Sequence, residues 1–121
     1  MRRARERVEE MADYCNTEVF LSIVGGKWKL LILMYLLQGT KRFGELRRAL
    51  STITHRMLTR QLRELEDDGL IRRTSYPEVP PRVEYSLTAT GQSLEPLIRQ
   101  LDAWGHRYRG ELHELAAQEE A

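Results

Sequence analysis

Arg56, Arg60 and Arg63 follow one another at intervals of four and three residues. On a helix, at about 100° per residue, that spacing gathers them within about 60° of one another. Leu58, Leu62 and Leu65 repeat at the same intervals on the opposite side, so a helix over about residues 54–68 has one apolar stripe and one cationic face. A planar guanidinium bonds guanine edges in bidentate fashion or clamps phosphates. His55 and Thr59 flank the arginines, and Thr54 is placed to cap the helix. This is the face a helix needs to enter the major groove of double-stranded DNA. The competing reading is a solvated surface on which Arg60 and Arg63 only pair with Glu64 and Asp67. Arg72, Arg73 and Arg82 follow in two short runs downstream; they favour DNA, because a hairpin there adds phosphate or minor-groove contacts.

The second chemistry belongs to Cys15, the single cysteine. One thiol cannot form an intrachain disulfide. Three scattered histidines (His55, His106 and His113) supply no metal-ligand spacing, so neither metal nor cofactor is expected. Cys15 falls just before a helix that Asn16 or Thr17 would cap. A helix N-terminus favours the reactive thiolate, whereas the Glu18 carboxylate one turn on opposes it. The alternative is a small buried apolar residue at a helix junction. No Ser/His/Asp set or carboxylate pair can be defended from spacing, and Gly25-Gly26 lacks the spacing of a phosphate loop. No enzymatic activity is expected.

The elements that must position these groups read clearly. Val19, Phe20, Ile23 and Val24 recur at helical spacing before Gly25-Gly26 breaks the helix. Residues 27–37 form a second helix, lined by Trp28, Leu31, Ile32, Tyr35 and Leu36 and closed by Gly39. Phe43, Leu46 and Leu50 share one face of a third. After the arginine helix, Gly69 marks a stop, and the period drops to two around Ile71, Arg73 and Ser75, then around Val83, Tyr85 and Leu87. Between these runs, Pro77, Pro80 and Pro81 keep a hairpin tip extended and unable to pair. From Thr88 a single long helix reaches about residue 117, carrying Leu94, Leu97, Leu101, Trp104, Tyr108, Leu112 and Leu115. The N-terminal charged run, with Val8 and Met11, fits a short helix or a frayed arm.

These elements amount to a mainly α fold with a small β-hairpin (α+β): a winged helix-turn-helix with added N- and C-terminal dimerisation helices. The 121 residues suffice for one domain, read as an arm and first helix (1–24), the helix-turn-helix and wing (27–87) and a dimerisation helix (88–121). The net charge is only +1, but residues 41–73 hold nine bases against five acids, and residues 95–121 three against six. The basic middle suits a polyanion and the acidic tail another task. The longest apolar run, residues 30–37, is far below the ~20 residues of a membrane span. A cytoplasmic protein with no membrane partner is the expectation.

Several stretches together resemble the HxlR family of bacterial winged helix-turn-helix transcriptional regulators. They are Cys15-x-x-Glu18, Gly25-Gly26-Lys27-Trp28-Lys29, Arg42-Phe43-x-Glu45-Leu46-Arg47, Met57-Leu58-Thr59-x-x-Leu62-x-x-Leu65-Glu66-x-x-Gly69-Leu70, Pro80-Pro81-x-Val83-Glu84-Tyr85-Ser86-Leu87-Thr88-x-x-Gly91 and Trp104-Gly105. The chain departs from that pattern at Asn16, where proline is usual, and at Ser51-Thr52, in place of Pro-Gly. The resemblance implies a homodimer on a partly palindromic operator, and in some members a sensor of oxidants or electrophiles at the position of Cys15.

The residues assigned to DNA are therefore Arg42, Thr54, His55, Arg56, Thr59, Arg60, Arg63 and Arg82, with Arg42 and Arg82 on the backbone. Phe20, Leu97, Leu101, Trp104, Tyr108 and Leu112 are assigned to the dimer interface, because this stripe has more apolar surface than so small a monomer can cover. Gly105 beside it is expected to allow close approach of a partner helix. The alternative function is a winged-helix protein-interaction module that never touches DNA. Such a module would carry apolar or mixed residues where the arginines stand.

Overall fold

The computed structural model describes residues 2–120. Helices α1 (Arg2–Glu10), α2 (Asn16–Val24) and α3 (Lys29–Leu36) come first, then a two-residue strand β1 (Lys41–Arg42) and helices α4 (Phe43–Ala49) and α5 (His55–Asp67). Strands β2 (Ile71–Tyr76) and β3 (Arg82–Leu87) follow, then a single-turn helix α6 (Ala89–Gln92) and the long α7 (Glu95–Glu120).

The core is the sum of the apolar faces. Ile32, Leu33 and Leu36 of α3 meet Leu46 of α4 and Leu58, Leu62 and Leu65 of α5, all buried, with Ile71 and Tyr85 closing it from the sheet. Burying each Leu or Ile is worth about 1.5–3 kcal/mol, so the register of α5 is set by its leucine stripe and its arginines have only solvent left to face. Thr54 caps α5 as expected, its Oγ1 accepting the Met57 N–H at 3.0 Å. Gly69 ends the helix with a left-handed φ of 77°.

Three expectations need correction. The wing is not a bare hairpin: β1 pairs with β3, Lys41 opposite Tyr85 and Arg42 opposite Glu84, giving an antiparallel sheet of order β1-β3-β2. The helix from Thr88 is not continuous. Thr88 caps α6 through the Gly91 N–H, Ser93 Oγ donates to the Thr90 carbonyl, and α7 restarts at Glu95 with Pro96 in its first turn, where a missing N–H costs nothing. The helix expected over residues 27–37, α3, begins at Lys29, and its cap is Leu37, with Gly39 beyond it at φ 136°.

The N-terminal run is helical. Arg7 docks it: Nη2 donates to Ser22 Oγ on α2 at 3.0 Å, Nη1 to Glu10 at 2.9 Å, and Nε pairs with Asp68, the C-cap of α5, at 3.1 Å. Burial pulls the Arg7 guanidinium down, and the bond to Glu10 with the charge of Asp68 pushes it above its ordinary value. The axes of α2 and α3 differ by 77° across Gly25-Gly26, the sharp turn the glycine pair predicts. No single helix among the described residues is long and apolar enough to cross a membrane.

Candidate nucleic-acid interface

The α5 face carries Arg56, Arg60 and Arg63 together, all exposed. They are not equivalent. Arg60 Nε donates to Glu64 Oε1 at 3.1 Å, so the pairing that the competing sequence reading foresaw does form at this position. Glu64 is in turn held from beneath: Lys29 Nζ, buried on α3, donates to its other oxygen at 2.9 Å. The bond from Lys29 holds the Glu64 carboxyl below the usual glutamate value; burial opposes this and Arg60 reinforces it.

The flanking polar residues are turned to structural duty. The His55 ring lies 4.7 Å from that of Phe43, tilted by 49°. Thr59 Oγ1 donates to the His55 carbonyl at 2.9 Å, and the Thr54 hydroxyl is occupied as a cap. His55, Thr59 and Arg63 still line an open hollow of about 480 Å³ between α5 and the sheet, together with Arg73 and Tyr85. Arg73 was not among the assigned residues. Its signal was present in the alternation: Arg73 shares a strand face with buried Ile71 and lies opposite Tyr85 in the ladder.

Arg42 and Arg82, assigned separately to the DNA backbone, come together. Both line a hollow of about 620 Å³ beneath the wing tip, with Phe43, Glu78, Val79 and Pro80. Arg42 is exposed at the N-cap of α4, where its own N–H donates to Glu45 at 2.8 Å. Arg82 is half-buried: its guanidinium stacks 4.1 Å over Tyr76 and its Nε pairs with Glu78 at 3.2 Å. At the tip, Val79 is fully exposed.

Cys15 is exposed, so the reading of a buried packing residue is wrong. Neither Asn16 nor Thr17 caps α2; Cys15 itself is the N-cap, and Glu18 reaches back to accept its N–H at 3.2 Å. On α7, Leu97, Leu101, Trp104, Tyr108 and Leu112 are all exposed, and the Trp104 and Tyr108 rings stack at 5.2 Å. Ile98 is the residue of this helix that reaches the core. Phe20 is half-buried against the chain's own core. A Cβ at Gly105 would meet nothing within 4 Å among the described residues.

Against known proteins, residues 23–113 match the model of the HxlR-like helix-turn-helix family. The HTH-type transcriptional regulator YdeP of Bacillus subtilis is 50% identical over 107 residues, 88% of this chain and 84% of that protein. The redox regulator HypR in its reduced form superposes with a TM-score of 0.78 at 48% identity, over 83% of this chain and 99% of HypR. Its oxidised form gives 0.74 at 50% identity, over 77% and 96%. The chain therefore belongs to the HxlR-like helix-turn-helix family of transcriptional regulators.

Proposed function

We propose that this regulator binds a partly palindromic DNA operator as a homodimer, with α5 in the major groove and the wing over the adjacent backbone. The observation that carries this is the exposure of Arg56, Arg60 and Arg63 on the side of α5 opposite its buried leucines. An interaction module would be expected to carry apolar or mixed residues on that face. In this reading Arg60 is the principal base reader, while Arg42 and Arg82 contact phosphates. One winged helix covers a half-site, so a long operator takes two copies about one DNA turn apart. The exposed stripe of α7 is the surface that joins them, with the segment around Phe20 contributing, and residues 1–24 and 88–121 act as the dimerising parts of a single domain.

Fluorescence anisotropy on a labelled operator duplex and a scrambled one, across a salt series, tests the assignment. Arg60→Ala should cost about 1–3 kcal/mol on the operator and relax base preference, whereas Arg82→Ala should weaken both duplexes and lower the salt slope by about one. Equal, salt-independent binding by the two variants would sink it.

The exposure of Cys15 supports a second element, sensitivity to oxidants or electrophiles. With one thiol per chain, oxidation joins two chains: two thiols give up two protons and two electrons to an oxidant such as diamide, which becomes the hydrazine. A diamide arm of the same assay should change operator affinity in the wild type and not in Cys15→Ser. Identical responses from the two would leave Cys15 without a sensing role.

A further inference from the structure

Of the three arginines on the α5 face, Arg60 alone is held by a carboxylate among the described residues. The arrangement runs from core to solvent: the Lys29 side chain is 9% exposed, Glu64 35% and Arg60 72%. Both Glu64 oxygens are committed, Oε2 to Lys29 Nζ and Oε1 to Arg60 Nε, so the carboxylate cannot turn without breaking a bond to the core helix. Arg60 spends only Nε on this contact. Its two terminal nitrogens, with four of the five donors of a guanidinium, are left to project beyond the helix. A free arginine loses rotamer freedom when it docks on a base edge; one already held in place loses less. An exposed i,i+4 pair contributes little to stability, so the value of this contact lies in orientation.

We propose that Glu64, anchored by Lys29, is a positioning residue that presents the Arg60 guanidinium to a base and thereby sets sequence discrimination. The inference rests on the reading that α5 enters the major groove with Arg60 as a base reader. The lowered protonation range of Glu64 fits it, since the acceptor stays ionised at neutral pH. Lys29 also occupies a position that the spacing of Ile32, Leu33 and Leu36 assigns to the core. A lysine there has its stem in apolar surroundings and its ammonium aimed at one acid.

The decisive variant is Lys29→Met/Glu64→Met. It removes one charge of each sign, so it leaves the net charge unaltered, and it replaces the pair with apolar groups of similar volume, an exchange that folds tolerate. Binding is measured by anisotropy on a duplex selected by the wild-type chain from a randomised pool and on a scrambled duplex of equal length, over a potassium chloride series, with circular dichroism confirming the fold. The expected result is a five- to tenfold fall in the ratio of selected to scrambled affinity, with scrambled affinity within about twofold of wild type and an unchanged salt slope. The isosteric Glu64→Gln, which keeps an acceptor but loses the charge, should move the ratio the same way by less. With Arg60→Ala already in place, the double Met change should lower the ratio no further. A ratio unmoved by the double Met change, while Arg60→Ala lowers it, would overturn the positioning role. A ratio that Arg60→Ala itself leaves unmoved would overturn the underlying assignment of Arg60 as a base reader.

Discussion

At the scale of single residues, Glu64 also leaves a trace in folding. Its carboxyl titrates below the ordinary glutamate value near 4.5, chiefly because Lys29 bonds the ionised form. A depressed folded value means that the unfolded chain takes up the proton first. The contribution of this group is therefore complete above about pH 4.5 and is lost as the pH falls through the lower folded value. Urea melts between pH 3 and 7 should show the wild type losing stability over that window more steeply than Lys29→Met/Glu64→Met. Parallel curves would remove Glu64 from the account. The arginines of α5 and the Thr54 cap were legible in the sequence because helical spacing and capping chemistry are local. The engagement of Arg82 by Tyr76 and Glu78, and of His55 by Phe43, was not, since the first depends on the register of the β2–β3 pairing and the second on how α4 meets α5.

At the scale of elements, long periodic segments could be read and short or paired ones could not. The leucine stripe of α5 and the alternation of β2 and β3 each span several side-chain repeats. Strand β1 has two residues, too few for any period, and exists because β3 offers it a partner. The break between α6 and α7 was hidden by apolar residues that keep their helical spacing through it, although Pro96 marks the restart. What fixes α6 is Gly91: a Cβ there would overlap the Leu70 carbonyl oxygen, closer than real contacts come, and lie 3.1 Å from Leu87 Cδ2. Backbone at that distance cannot yield like a flexible side chain. Gly91→Ala should cost about 1–3 kcal/mol by chemical denaturation, while Gly44→Ala, whose nearest neighbour is a mobile arginine tip at 3.5 Å, should cost far less. Equal losses at the two sites would show that α6 is not seated on Leu70.

For the whole molecule, the α7 stripe was legible as apolar periodicity, and its exposure follows from Ile98 being the point at which this helix enters the core. Two glycines test what covers it. At 100° per residue Gly105 falls at the edge of the stripe and Gly110 on the opposite side, and a Cβ on either would meet nothing within 4 Å among the described residues. Replacing either with leucine should raise intrinsic helix propensity by about 1 kcal/mol. If a second copy covers the stripe, Gly105→Leu should weaken self-association by tenfold or more in sedimentation equilibrium and Gly110→Leu should leave it unaltered. Indistinguishable behaviour of the two would place the contact elsewhere.

The pairing of β1 with β3 has a mechanical consequence for the DNA reading. Arg42 sits on β1 and Arg82 on β3, on strands joined by ladder hydrogen bonds, with the sheet continuous into the core through Tyr85. The two cations are thus the jaws of a fixed caliper whose gap the protein cannot easily adjust. A duplex whose phosphates do not match that gap has to change its own groove width, at an energy set by how stiff its sequence is. Base pairs lying under the wing and touched by no side chain would then still be sorted, by their compliance.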